Sequence, residues 1–323
     1  MNLNVCMDAR YVIPKKVKEF LPDIVISFGG NIFAGIKEQF RKFAGEFEHW
    51  LVQEDGRVVD LYKSITTIFE CKPEYFFKYC VNVADENQTN DCEYYQGLKR
   101  YVDSVIYPDF PYSHVYAIKE VVEKIPADSV LHLSINDSIR ITNFFKLNPR
   151  IKTYANIGTH GIDGCLSSFL GQAAAGNKQS YLVIGDLAFF YDMNAMRLRH
   201  IKNNVHILLI NNEGGSEFYF NHMWKDEASD LHTTARHHTK AEGWVKSNNF
   251  IYLSAHDKES MQEALKEFMR SDLEKPVFLE VFTEMKTDSD VIYDFFDLSR
   301  PKDVQSETIR RSKEFIKATI GQE

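Results

Sequence analysis

The residues best suited to chemistry in this 323-residue chain lie in the run SYLVIGDLAFFYDMNAMRLRHIKNNVHILLINNEGGSEF, from Ser180 to Phe218. One apolar stretch of strand character, YLVIG, ends at Gly185-Asp186. A second, VHILLI, ends at Asn211-Asn212 and is followed by Glu213-Gly214-Gly215. If both stretches are parallel strands, each polar ending falls at a carboxyl edge, where open α/β sheets bind ligands. The 26 positions from Asp186 to Asn212 hold one crossover connection, which brings the two side chains together. A carboxylate, an amide oxygen and a nearby backbone carbonyl are hard oxygen donors. They suit Mg²⁺, which also takes phosphate oxygens and water. Gly185 lets the backbone approach a phosphate closely, and the amides of Leu187 and Ala188 open a helix that can donate to it. Taken singly, Gly-Asp reads as a helix cap and Asn-Asn as a turn. Together, at this spacing and on strand ends, they read as a metal–phosphate site.

These groups need a sheet to hold them. Apolar runs of strand length occur at 23–29, 47–53, 64–70, 130–135, 151–155, 180–186, 205–211, 250–253 and 276–282. Amphipathic stretches lie between many of them, at 31–44, 92–106, 113–126, 138–147, 161–175, 188–202, 232–248, 257–271 and 303–318. This alternation predicts parallel sheets in a three-layer α/β architecture. The polar segment ADENQTNDC, 84–92, and the turn YPDFPY, 107–112, separate two parts: a partial α/β domain at 1–107 and a second domain at 108–323. Ser113 is placed to cap the helix that follows the turn.

Bulk properties exclude several classes. The net charge is −8 and the short basic clusters Lys15-Lys16 and Arg310-Arg311 read as solvated helix surface, so no nucleic-acid partner is expected. The five cysteines are odd in number and none pairs as CxxC, which argues against a disulfide framework or a zinc site. The opening MNLNVCMDARYVIPKK lacks the apolar core of a secretory leader, and no apolar run is long enough to span a bilayer. A soluble cytoplasmic protein is the expectation. His232, His237 and His238 have an HxxxxHH spacing that matches no standard zinc site, so a solvated helix or a mobile loop over the site is expected there. Tyr219 and Trp224 cover the pocket or simply pack.

The Gly-Asp and Asn-Asn pair at this spacing resembles the signature of thiamine-diphosphate-dependent enzymes. The wording GDLAFFYDMNAM…NNEGG is most similar to the menaquinone-pathway synthases among them. The resemblance implies that Asp186, the Asn212 side chain and the Gly214 carbonyl hold Mg²⁺ or Mn²⁺, which in turn holds the cofactor's diphosphate. A second segment, NIGTHGIDG at 156–164, resembles that group's N-R-G-x-S-G-I-D-G. It implies that Gly161, Ile162 and Asp163 face the cofactor, with Ile162 as the wedge that bends it; a plain core role is the alternative for Ile162. A third, LHLSINDSIR at 131–140, resembles a strand-to-helix segment ending S-x-x-x-R, and implies that Asn136 and Arg140 contact the acidic substrate or cofactor-bound intermediate. Arg140 suits bidentate pairing with a carboxylate. Gly29-Gly30 lacks the rest of a dinucleotide fingerprint and reads as a tight turn.

Three positions depart from the resembled pattern. Ile157 stands where the pattern has arginine, His160 where it has a small or polar residue, and Glu217, before Phe218, where it has an apolar one. Loss of one charge-assisted contact costs about 1.5–3 kcal/mol, so a 2-oxoacid carboligase or decarboxylase acting on a donor other than 2-oxoglutarate is expected ahead of the menaquinone reaction itself. His160 is placed for proton transfer or for bonding the loop, and Glu217 and Phe218 for substrate contact. The resemblance begins mid-domain and includes no pyrimidine-binding domain, the part whose glutamate activates the cofactor. The expectation is therefore a fragment or a half-enzyme. It would work as a homodimer or homotetramer, with the pyrimidine-binding domain as its partner. A non-catalytic half that supports an assembly is the rival.

Overall fold

The computed structural model describes residues 18–29, 34–84, 93–103, 107–158, 161–220 and 227–299. They form two compact units, one within Val5–Ile106 and one spanning Tyr107–Asp297. The smaller unit holds a three-stranded parallel sheet in the order β1 (Ile24–Phe28), β2 (Glu48–Val52), β3 (Ile65–Phe69). Its helices are α1 (Ala34–Arg41), α2 (Pro73–Val83) and α3 (Glu93–Asp103), and Phe40, Phe47 and Tyr62 pack together as its aromatic core. Helix α2 is absent from the sequence-based expectation. Only Phe76 is buried on it, while Tyr75, Tyr79, Val81 and Val83 are exposed, so its apolar residues ring the helix and leave no stripe to read.

In the larger unit α4 (His114–Val122) starts at Ser113, whose hydroxyl accepts the Tyr116 amide as the sequence suggested. There follow β4 (Val130–Leu133), α5 (Asp137–Thr142), β5 (Lys152–Ala155), α6 (Cys165–Ala175) and β6 (Ser180–Gly185). Helix α7 (Asp186–Asp192) runs into a 3₁₀ turn (Met193–Arg197), then come β7 (Val205–Asn211), α8 (Ser216–Phe220), α9 (Glu227–Thr234) and α10 (Glu242–Ser247). The unit closes with β8 (Ile251–Ala255), α11 (Lys258–Phe268), β9 (Val277–Phe282) and α12 (Met285–Ser299). The six strands pair in parallel in the order β5-β4-β6-β7-β9-β8. All nine predicted strands are present, and the α/β class stands.

Strand parity gives the layers. Leu182 and Ile184 of β6, with Val205, Ile207 and Leu209 of β7, share a core with Leu166, Phe169 and Leu170 of α6 and Phe189 of α7. The alternate residues Tyr181 and His206 pack against Phe268 of α11 on the opposite face. Both faces of the central strands are therefore covered, which is why they read as unbroken apolar runs. Chain order makes β5 and β6 leave β4 on opposite sides. This is the switch point at which the carboxyl ends of an open sheet leave a crevice.

Several helix spans differ from expectation: 188–202 is α-helical only to Asp192, with a 3₁₀ turn to Arg197. The span 232–248 is two helices, because Ala235 takes φ +51 and the chain turns to serve the loop after β7: Thr234 O accepts the Gly215 amide and Glu213 O accepts the His237 amide. The span 138–147 ends as a helix at Thr142. Helix α12 went unread because Asp288 and Ser289 sit on its buried face beside Met285, Ile292 and Phe295, which breaks the apolar stripe. The expected helix at 303–318 lies outside the described residues. Among those described, no helix is long and apolar enough to cross a membrane, and Cys71, Cys80 and Cys165 are free thiols.

His206 sits fully buried in β7; its Nδ1 faces the Phe268 carbonyl at 2.8 Å and its Nε2 the Gln179 side-chain amide at 2.7 Å. Burial pushes its pKa down to about 4, against the opposing pull of the Phe268 carbonyl. The unfolded chain, with an ordinary histidine near 6.5, then binds more protons than the folded one between those values. Stability is full above about pH 6.5 and falls as pH drops toward 4, by on the order of 3 kcal/mol from this residue. Urea midpoints measured across that window should show the decline, and His206→Phe should flatten it; an equal slope in the variant would contradict the assignment.

Candidate functional site

The crevice at the switch point is a cleft of about 90 Å³, lined from three strand ends. Ser134, Ile135, Asn136 and Asp137 follow β4, Gly185 ends β6 with Asp186 to Ala188 after it, and Asn212 and Gly214 to Phe218 follow β7; Ile162 and His114 also line the cleft. Ten of the residues singled out from sequence meet here: Asn136, Ile162, Gly185, Asp186, Leu187, Ala188, Asn212, Gly214, Glu217 and Phe218. Gly161 and Asp163 lie beside it without lining it, and Asp163 is exposed. His160 and Trp224 lie outside the described residues. The volume is well below the roughly 300–1,000 Å³ of sites that bury a whole drug-sized ligand. These residues form one wall, or clasp one part, of something larger.

Asp186 is buried and organises the wall. Its Oδ2 accepts the backbone amides of Asn212 at 3.1 Å and Gly214 at 2.9 Å, and its Oδ1 accepts the amide of Leu187 at 2.6 Å. The carboxylate thus ties the end of β6 to the turn after β7. The Leu187 amide, expected to donate to a phosphate, here donates to Asp186. The turn is strained to make this possible: Glu213 has φ +63 and Gly214 φ +149. A Cβ on Gly214 would lie 2.6 Å from both Met285 Cε and Thr234 O, so only glycine fits. Gly185 is different, with an ordinary backbone and nothing within 4 Å of a notional Cβ, so its glycine leaves open space on the cleft side.

Each asparagine of the pair is oriented by its own buried carboxylate. Asn211 Nδ2 donates to Glu280 at 2.7 Å and to Thr239 O at 2.9 Å. Asn212 Nδ2 donates to Asp288 at 3.0 Å, and Asp288 also accepts from Thr283 Oγ1 at 2.7 Å and from the His114 amide at 2.8 Å. With Nδ2 so committed, the remaining polar atom of the Asn212 side chain is its oxygen. An Asp carboxylate, an Asn oxygen and a glycine carbonyl form a set that fits a small hard cation. No cluster of three or more His, Cys, Asp or Glu side chains suited to a metal occurs among the described residues. A cation at this wall would therefore draw on amide and backbone oxygens as well as Asp186.

Three groups here escaped the sequence reading. Asp288 arrives from α12, 76 residues beyond Asn212, with no local motif to announce it. His114 lies wholly buried, with Nδ1 3.1 Å from Asp288 and Nε2 3.9 Å from Asp137. Burial pushes its pKa down, but the charge and hydrogen bond of Asp288 and the charge of Asp137 outweigh that, and the net shift is upward. His237 belongs to the cluster expected on a solvated helix or a loop over the site; its Nε2 lies 3.3 Å from Asp186, while His232 and His238 are exposed. Its pKa is raised, chiefly by the contact with Asp186.

Arg140 is buried and is not among the residues lining the cleft, and its guanidinium is engaged by the chain's own carboxylates. Asp137 Oδ1 lies 2.6 Å from Nη1, Glu217 Oε1 lies 3.1 Å from Nη2, and Glu217 Oε2 contacts Nη1. Ser216 Oγ donates to the other oxygen of Asp137 at 2.7 Å, which locks α8 to α5. Burial pushes the Asp137 pKa up, but the charges of Arg140 and His114 more than offset it and hold the group below the ordinary carboxylate range. Asn136, at the start of α5, takes φ 58 and ψ −119, a conformation costly for a residue with a side chain. Ile162 both lines the cleft and packs on the main core.

No family model matches the chain. Curated relatives do. The chain is 33% identical over 288 residues to the 2-succinyl-5-enolpyruvyl-6-hydroxy-3-cyclohexene-1-carboxylate synthase of Phocaeicola vulgatus, covering 88% of this chain and 51% of that protein. It is 35% identical over 286 residues to the synthase of the same name from Bacteroides fragilis (88% and 51%), and 33% over 297 residues to that of Bacteroides thetaiotaomicron (91% and 53%). The likeness therefore extends over nearly the whole chain and is not confined to the motifs. The chain spans about half the length of the curated relatives it matches.

Removing the Asp186 carboxylate orphans two buried amides, each worth about 1–3 kcal/mol when left unsatisfied. Asp186→Ala should therefore lower unfolding stability by about 2–6 kcal/mol in urea titrations without any ligand. Gly214→Ala should cost about as much through strain and overlap. A wild-type midpoint for either variant would show that the turn is not held as described.

Proposed function

We propose that this homologue of the synthases is the diphosphate- and metal-holding wall of a thiamine-diphosphate-dependent 2-oxoacid carboligase or decarboxylase. The observation that carries the reading is the meeting of Asp186, Asn212 and Gly214 in one cleft at the sheet's switch point, beside the open flank of Gly185. In this reading Asp186, the Asn212 oxygen and the Gly214 carbonyl would hold Mg²⁺ or Mn²⁺, which would supply positive charge against the diphosphate. Thiamine diphosphate, once bound, supplies the carbanion chemistry. The chain's own residues do the positioning. Asp288 fixes the Asn212 amide, Glu280 fixes Asn211, and Ile162 adds an apolar side chain to the lining of the cleft. A cation must compete for Asp186 with the amides it already accepts, so binding is expected to rearrange the turn after β7.

The small cleft supports a shared site. We assign the missing wall to a pyrimidine-binding domain, carried on the same polypeptide in its full length or on a separate one, with assembly as a homodimer or homotetramer in the cytoplasm. A non-catalytic supporting subunit is the second reading, favoured by the chain's own groups engaging Asp186 and Arg140. Operation as the menaquinone-pathway synthase itself is the alternative, disfavoured by Ile157, which stands where the resembled pattern has an arginine.

Calorimetric titration with thiamine diphosphate, with and without Mg²⁺ and in the presence of a pyrimidine-domain polypeptide, separates these readings. Metal-dependent binding is expected. Asp186→Asn should weaken it by at least about 100-fold, or about 2.7 kcal/mol. Gly185→Val should fold as wild type yet bind more weakly, because only the open flank is filled. No binding to the wild type, or full affinity in Asp186→Asn, would overturn the metal assignment.

A further inference from the structure

We propose that Glu217 is a specificity-determining residue: its carboxylate satisfies the buried Arg140 from within the chain, so the cleft rejects an anionic group at this wall and takes a neutral one. The geometry carries this. Glu217 and Asp137 line the cleft and Arg140 stands behind them, 5% exposed, with both of its terminal nitrogens engaged by carboxylate oxygens. The pairing to Glu217 is bidentate, the arrangement an arginine would otherwise offer to a ligand carboxylate. Two carboxylates face one guanidinium at this wall, and Ser216 pins Asp137 in place through its hydroxyl. An incoming carboxylate would have to displace Glu217 and leave that side chain charged against an already acidic wall. A neutral hydroxyl, carbonyl or alkyl group has no such competitor.

The proposal deepens the reading above, and rests on it only in identifying the excluded ligands as substrates with a second carboxylate. The pocket chemistry itself is testable without cofactor, metal or partner. The probe is succinate, titrated into the chain as it stands and followed by chemical-shift perturbation and calorimetry. The wild type should show no saturable binding at this wall. Glu217→Ala should bind succinate at least about tenfold more tightly than wild type, and Glu217→Ala combined with Arg140→Gln should lose the gain. Glu217→Gln, nearly the same shape and still able to offer Arg140 one oxygen, should show an intermediate gain, and it keeps the test decisive if the alanine variant fails to fold. Equal succinate affinity in wild type and both Glu217 variants would overturn the proposal, as would tight succinate binding by the wild type. Failure of thiamine diphosphate to bind, with the succinate gain intact, would instead sink the cofactor reading and leave the role of Glu217 standing.

Discussion

The larger unit turns on one buried carboxylate accepting backbone amides from another strand's exit. Asp186 joins β6 to the turn after β7 through Asn212 and Gly214. Parallel neighbours share no tight turn, so their carboxyl ends need such a bridge if the loops that leave them are to stay in register. Burying the carboxylate raises the stakes, since a charge away from water persists only where donors surround it.

That principle is repeated around the cleft. Asp288 draws in the Asn212 amide, a threonine hydroxyl and the start of α4, while Glu280 draws in Asn211, the Ala241 amide and the Tyr252 hydroxyl. Asp137 bridges Ser216 and Arg140. Each acidic side chain is held by donors from several elements, so the loops after β4, β6 and β7 are welded at their polar ends over a sheet that is apolar on both faces. The rigidity of this rim comes from polar contacts far apart in sequence, and the hydrophobic layers beneath supply the platform.

Much of this was legible. Uninterrupted apolar runs marked the central strands because both faces are buried, and Ser113 announced α4 by its chemistry. Asp186 and Asn212 were readable as neighbours because one crossover sets their separation. What resisted reading was chemistry that depends on tertiary distance. Asp288 interrupts its own helix's apolar stripe, and so hid both the helix and the residue's role. His237 leaves its helix because Ala235 turns to feed the loop beside Asp186, a demand that no local propensity encodes. Arg140 was read as a ligand contact because the segment ending at it resembles one that meets an acidic substrate, and its guanidinium offers a fork. Its partner lies 77 residues away, and only the fold shows that the fork is already filled.

The crowding at Gly214 bears on how this site can diversify. Met285 and the Thr234 carbonyl leave room there for a hydrogen atom alone, so drift at that position is shut off whatever reaction the descendants perform. Two and three positions later, Ser216 and Glu217 meet the cleft on a short helix, where their side chains are tied to Asp137 and Arg140. A change of side chain in the first turn of α8 therefore rewires a polar contact, while the glycine before it keeps the loop's path unchanged.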